Sequence, residues 1–210
     1  MKRILLYGGT FDPPHNGHIR NLKAAVQAVK PDRVVVMPAG VPPHKAASAT
    51  PAALRLAMCG CFADAVPGAE ISAWEIDRGG RSYTVDTLRM LRQKWPGAHL
   101  YLAVGSDMLL SFEEWREWRE ILSLATLVVQ SRRDGDLPAL RRMAQTLRAA
   151  GGHIVFAHAP AFSCASHEIR QGMFGPEQLA ALVPPSVLRI MRENKLYRQK
   201  DPDGGKTGRA

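Results

Sequence analysis

Gly8-Gly9-Thr10-Phe11-Asp12-Pro13-Pro14-His15-Asn16-Gly17-His18 follows directly on the apolar run Ile4-Leu5-Leu6-Tyr7. The run is short, is bounded by glycine, and reads as a buried strand. Beyond it Ile19, Leu22, Val26 and Val29 recur at helical spacing, which predicts a helix beginning near Asn16 or Gly17. The order is therefore strand, glycine-rich turn, helix. Gly8 and Gly9 would permit positive φ and a close approach of ligand to backbone. A helix start supplies unpaired N–H groups and the positive end of the helix dipole, both suited to phosphate. His15 and His18 are three residues apart and share one face of the first turn. Each part alone has an ordinary reading, since a glycine pair after a strand is usually a turn. Together they converge on an anion site at a helix start. A zinc site would want three or four ligands, and no Cys or His cluster completes one here. The spacing is neither that of a P-loop, which needs Gly-Lys-Ser/Thr, nor the Rossmann G-x-G-x-x-G.

The chain has 210 residues, 46% of them hydrophobic, enough for one α/β core. No apolar run approaches a membrane span and the N-terminus lacks a signal-peptide core, so no membrane partner is expected. Cys59, Cys61 and Cys164 form no disulfide framework, which points to a reducing cytoplasm. Cys59-Gly60-Cys61 lies in an apolar helical stretch and reads as packing. The net charge of +9 asks for an anionic partner, either a nucleotide or nucleic acid.

Arg33–Met37 is a second buried strand ended by Pro38, and the single helix before it makes a βαβ unit with a parallel sheet. Residues 39–50 are rich in Pro, Ala and Ser and contain Pro42-Pro43-His44-Lys45. A surface loop with a solvated lysine would explain them, but the carboxyl end of a parallel strand is where open α/β sheets bind ligands. Pro51 opens a helix whose apolar stripe is Leu54, Ala57, Met58 and Cys61, with Arg55 facing elsewhere. A strand over 70–76 follows. Thr84 then reads as the N-cap of a helix carrying Leu88, Leu91 and Trp95, with Asp86 as its first-turn acid. His99–Val104 is the most strand-like run, ended by Gly105-Ser106-Asp107. Asp107 could meet a ribose hydroxyl or cap the next turn. Trp115 and Trp118 are expected on one helix with Ile121 and Leu122. Leu127–Val129 and His153–Phe156 are further strands, separated by a helix over 137–150. Pro184-Pro185 opens a last amphipathic helix. The expected fold is Rossmann-like, a doubly wound, mostly parallel α/β sheet in one unit, residues 1–198, with 199–210 as a disordered tail.

The eleven-residue stretch resembles the signature of the nucleotidyltransferases with an H-x-G-H motif, specifically the bacterial nicotinate-nucleotide adenylyltransferases. The resemblance extends over roughly residues 2–198 in the order of its later motifs. It implies that ATP is met by Gly8, Gly9, Thr10, Phe11, His15, His18, Gly105, Asp107, Ser166 and Arg170. His15, His18 and Arg170 would be the catalytic charges. It places the mononucleotide against Lys45 of the P-P-H-K loop, against Tyr83 and Thr84 of a Y-T-x-D-T element, and against the ring of Trp115. The family's S-x-T-x-I-R element is altered here: Ala165 replaces a serine and His167 stands where threonine is expected, while Ser166 and Arg170 remain.

The implied reaction moves AMP from ATP to nicotinate mononucleotide, with Mg²⁺ carried on the triphosphate, no protein metal site and no nucleic-acid partner. Nicotinamide mononucleotide or phosphopantetheine adenylyltransfer, a nucleic-acid-binding module and a non-catalytic nucleotide sensor are the competing readings. Oligomeric state is not legible.

Overall fold

The computed structural model describes residues 1–43, 48–130, 135–158, 162 and 164–197. Six parallel strands form one sheet: β1 (Arg3–Gly9), β2 (Arg33–Pro38), β3 (Ala69–Ile71), β4 (His99–Gly105), β5 (Ala125–Gln130) and β6 (Ile154–Ala157). Their order is β3-β2-β1-β4-β5-β6, the doubly wound Rossmann arrangement. Alternation within β1 sends Ile4 and Leu6 to one face and Leu5 and Tyr7 to the other. Both faces are covered, which is why the strands read as unbroken apolar runs. On the Leu5 side lie α1 (Asn16–Val29), α2 (Ala52–Met58), α3 (Gly60–Ala65), α9 (Ser166–Arg170) and α11 (Pro185–Glu193). On the Ile4 side lie α5 (Thr84–Lys94), α6 (Ser106–Leu110), α7 (Trp118–Leu124) and α8 (Leu137–Ala149). Among the described residues no helix is long and apolar enough to cross a membrane.

Several expectations need correcting. The strand expected over 70–76 ends at Ile71, and Trp74–Arg78 forms a helical turn, α4, that carries Glu75 into the interior. Trp115 lies after a 3-10 turn (Phe112–Glu114), not on a helix with Trp118, which begins α7. Thr84 is the first helical residue of α5 and makes no cap; the preceding Tyr83 holds the extended N-cap position. In α2 the buried face is Arg55 and Met58, while Ala57 is exposed, so the helix is rotated from the expected stripe. A further helix, α10 (Pro176–Leu182), had no apolar stripe to announce it and buries no residue fully. Lys45 and the expected tail over 199–210 lie outside the described residues.

Candidate active site

At their carboxyl ends the two central strands part. β1 pairs β2 as far as Gly9↔Pro38 but pairs β4 only to Leu6↔Leu102, while β4 continues along β5 to Gly105↔Gln130. The seam between β1 and β4 is the point where strand order reverses, the place where such sheets take ligands. The glycine-rich stretch emerges on one lip, and Gly105, N-cap of α6, sits on the other.

Gly8 and Gly9 are still strand residues and neither has positive φ, contrary to the expectation. The turn is made instead by Phe11, at φ 48°, a conformation that costs a non-glycine residue on the order of 1 kcal/mol. Its ring offsets that cost by packing with Tyr7, Phe62 and His18 at centroid distances of 5.5, 4.9 and 5.4 Å. Phe11 is therefore core, and only its main chain could meet a ligand. Gly9 is required by the same ring: a Cβ there would lie 2.8 Å from Phe11.

His15 is the N-cap of α1 and His18 its third residue. The His15 N–H donates to His18 Nδ1 at 3.2 Å, and the rings lie 3.8 Å apart between centroids, tilted by 33°. The His18 carbonyl accepts from Tyr7 OH at 2.9 Å. His15 is buried, 6% exposed, and Phe162 lies nearly parallel to it at 6.2 Å. Gly17 is what admits this stack, since a Cβ would meet Phe162 at 2.7 Å and the His15 ring at 3.0 Å.

Three distant segments converge on Asp12, which is 4% exposed. Ser48 Oγ donates to one carboxylate oxygen and Tyr197 OH to the other, each at 2.6 Å. Arg170 Nη1 donates to the Asp12 carbonyl at 2.7 Å, with Nε 3.9 Å from the carboxylate. Ser166 Oγ donates to the Pro13 carbonyl at 2.9 Å. Helix α9 is thus docked on the turn, with Ser166 and Arg170 bonded to the main chain just ahead of His15 and His18. At its start Glu168 accepts the Ala165 N–H at 2.7 Å, while the acceptor that a serine at 165 would offer the first turn is absent. His167 is exposed on α9.

The second cluster surrounds the start of α5. Tyr83 packs under the Arg116 guanidinium at 4.7 Å, and Trp115 lies beside Phe112 at 5.1 Å, half-buried on the core edge. Asp86 pairs with Arg78 and Arg89 at 3.5 and 3.3 Å, so it is a paired first-turn acid. Beneath them Glu75 accepts from the Thr87 hydroxyl, and burial pushes its carboxyl above the ordinary range against the hydrogen bonds from Thr87 and Ser82. Ser82 Oγ in turn accepts the Gly40 N–H at 2.9 Å, tying this cluster to the loop after β2. Gly40 has no room for a side chain there, since a Cβ would lie 2.6 Å from the Glu75 carbonyl. Asp107 is exposed in the first turn of α6 on the far lip.

Sequence reasoning missed Arg20, Arg116 and above all Arg55. Arg20 lies 4.8 Å over Phe162, beside the histidines. Arg55 Nη1 donates to the carbonyls of Thr10 and Ala39, and Nη2 to that of Gly40. Cys59 and Cys61 are buried in the core, and burial pushes both thiols up, Cys61 to about 12. Among the described residues no three Asp, Glu, His or Cys side chains are grouped to hold a metal ion.

The cytidylyltransferase-like family model matches residues 6–172. A protein of Neisseria meningitidis serogroup B described as a probable nicotinate-nucleotide adenylyltransferase is 35% identical, covering 94% of this chain and 99% of that one. One of the same description from Acidithiobacillus ferrooxidans is 35% identical over 92% and 95%. The structure of Plasmodium falciparum nicotinic acid mononucleotide adenylyltransferase complexed with APC superposes with a TM-score of 0.74 at 17% identity, covering 94% of this chain and 98% of that one.

Proposed function

The chain belongs to the cytidylyltransferase-like family and, within it, to the nicotinate-nucleotide adenylyltransferases, and from that premise we propose how its seam between β1 and β4 carries out AMP transfer from ATP to nicotinate mononucleotide. The observation that carries the reading is the close His15–His18 pair at the start of α1, on a turn whose Pro13 and Asp12 carbonyls are held by Ser166 and Arg170 of α9.

The nucleophile is a phosphate oxygen of the mononucleotide. Its second pKa is about 6, so it is already ionised near neutrality and needs no general base. It attacks the α-phosphorus of ATP, the bond to the bridging oxygen breaks, and pyrophosphate leaves with the electron pair. Catalysis is then positioning plus charge stabilisation. His18 accepts at Nδ1, so its neutral ring carries the proton on Nε2 and donates from there to phosphate oxygen. His15 and Arg170 add charge, the Thr10 amide is assigned to the same oxygens, and Gly8 and Gly9 give them a slender approach, the Gly9 N–H itself being spent in the pairing of β1 with β2. Gly105 and Asp107 flank the adenosine side. Mg²⁺ enters as part of the substrate, on triphosphate oxygens and water.

Tyr83, Thr84 and Trp115 take the nicotinate ring, the free amides of the α5 start suiting its carboxylate. Lys45 is proposed for the mononucleotide phosphate. The positive charge of the chain serves nucleotide phosphates, not nucleic acid, and residues 1–198 act as one catalytic unit in the cytoplasm. The test is pyrophosphate release from ATP with nicotinate mononucleotide, nicotinamide mononucleotide and phosphopantetheine in parallel. Nicotinate mononucleotide should give the highest kcat/KM. A preference for phosphopantetheine, or no release with any acceptor, overturns the reading.

A further inference from the structure

We infer that Arg55 is a positioning residue of the phosphate turn, a buried positive charge that supports bound anionic oxygens through the main chain without touching them; this rests on the phosphate role proposed for the turn. Arg55 is 2% exposed, yet among the described residues no carboxylate pairs with it. Its partners are three carbonyls: Thr10 at 2.9 Å and Ala39 at 2.7 Å from Nη1, and Gly40 at 3.2 Å from Nη2. Nε is buried with no partner among the described residues. Taking a guanidinium out of water without a counter-charge is far more expensive than burying a neutral side chain of the same shape. Carbonyl dipoles return only part of that cost, so the arrangement makes sense if an anion arrives to complete it.

The geometry shows how the charge would act. A trans peptide holds C=O and N–H antiparallel. Fixing the Thr10 carbonyl on the guanidinium therefore turns the Phe11 N–H the other way, with the positive end of the peptide dipole facing outward from Arg55. The same fork grips Ala39 and Gly40, just after β2, where the Ala39 N–H donates to the Gly9 carbonyl at 2.9 Å. One rigid planar group thus sets the spacing between the turn after β1 and the loop after β2. Lysine offers the charge but not the fork. The surroundings are dry, so the charge is poorly screened and reaches across the turn.

The experiment measures pyrophosphate and ATP affinity, kcat, KM for each substrate and the ligand-free melting temperature of wild type, Arg55→Gln and Arg55→Lys. Arg55→Gln should weaken pyrophosphate and ATP by about tenfold or more and lower kcat, with KM for the mononucleotide changing less. Arg55→Lys should melt lower, having lost the fork, yet keep most of the pyrophosphate affinity. If Arg55→Gln only lowers the melting temperature and binds pyrophosphate as wild type does, Arg55 is structural and the inference fails. It also fails if Arg55→Lys loses as much pyrophosphate affinity as Arg55→Gln. Should Arg55→Gln not fold, Arg55→Lys decides alone, by retention or loss of that affinity. Wild type that binds neither pyrophosphate nor ATP would instead overturn the functional reading.

Discussion

His18 is held from two sides: its Nδ1 by the His15 N–H and its carbonyl by the Tyr7 hydroxyl. The first bond fixes the ring's tautomer, with the donor on Nε2, and the second anchors its main chain, so the donor is ordered before any ligand arrives, which is the condition under which such a group contributes most. His18→Ala is therefore expected to lower kcat by about 10²-fold while the far-UV spectrum and melting temperature stay close to wild type. Near-normal turnover in the folded variant would remove His18 from the mechanism. The pair was legible in the sequence because spacing of three on a helix start is a local property. The glycine between them was legible only as a motif, and its reason, the 2.7 Å approach of Phe162, comes from 145 residues away along the chain. Arg55 was misread for a related cause: an arginine beside an apolar stripe is expected to face water, and nothing local says that three carbonyls wait for it.

At the scale of elements, α4 and α5 illustrate what a strand-like pattern can hide. The stretch after β3 alternates plausibly, but the edge strand stops at Ile71 and α4 brings Glu75 under the start of α5, where Thr87 and Ser82 hydrogen-bond it. Arg78 opposes the rise in its carboxyl's affinity for a proton and Asp86 adds to it, but burial is the largest cause and the net direction is up. A group whose folded affinity for the proton is raised stabilises the fold below its unfolded pKa, and that contribution is lost as pH climbs through the folded value. Glu75→Gln mimics the protonated form at every pH. Its melting temperature relative to wild type should therefore rise between about pH 4, near the unfolded carboxyl pKa, and pH 8. A gap that stays flat or shrinks over that range would mean Glu75 is carried as a well-solvated carboxylate, and the polar link from α5 to Gly40 would need another explanation. Element types on either side of this region were readable from periodicity; this junction was not, because a buried carboxyl and a one-turn helix leave no periodic trace.

Across the whole molecule, a doubly wound parallel sheet follows from alternating strand and helix patterns, but its order does not, since the same alternation serves more than one doubly wound arrangement. What periodicity also could not supply is the closure of the site, which depends on side chains far apart in sequence meeting at one carboxylate. Asp12 takes Tyr197 from beyond α11 and Ser48 from the loop after β2, while Thr50 donates to the Tyr197 hydroxyl at 3.1 Å. The phenol proton is thereby directed to Asp12, and burial, with the contact to that carboxylate adding to it, raises the Tyr197 pKa well above its ordinary value. Removing either donor leaves a buried carboxylate oxygen short of a partner, at a cost of about 1–3 kcal/mol. For a chain of this length that is a fall of roughly 2–4 °C in melting temperature per kcal/mol. Tyr197→Phe and Ser48→Ala should each show such a fall, and because both act on one carboxylate the double variant should depart from additivity by more than about 0.5 kcal/mol. The measurement is a double-mutant cycle by denaturant unfolding, with KM for both substrates taken on the same proteins. Additive losses with unchanged KM values would show that the C-terminal segment and the loop after β2 are fastened independently. Coupled losses accompanied by a rise in KM would show that the last helix reaches the catalytic turn through Asp12.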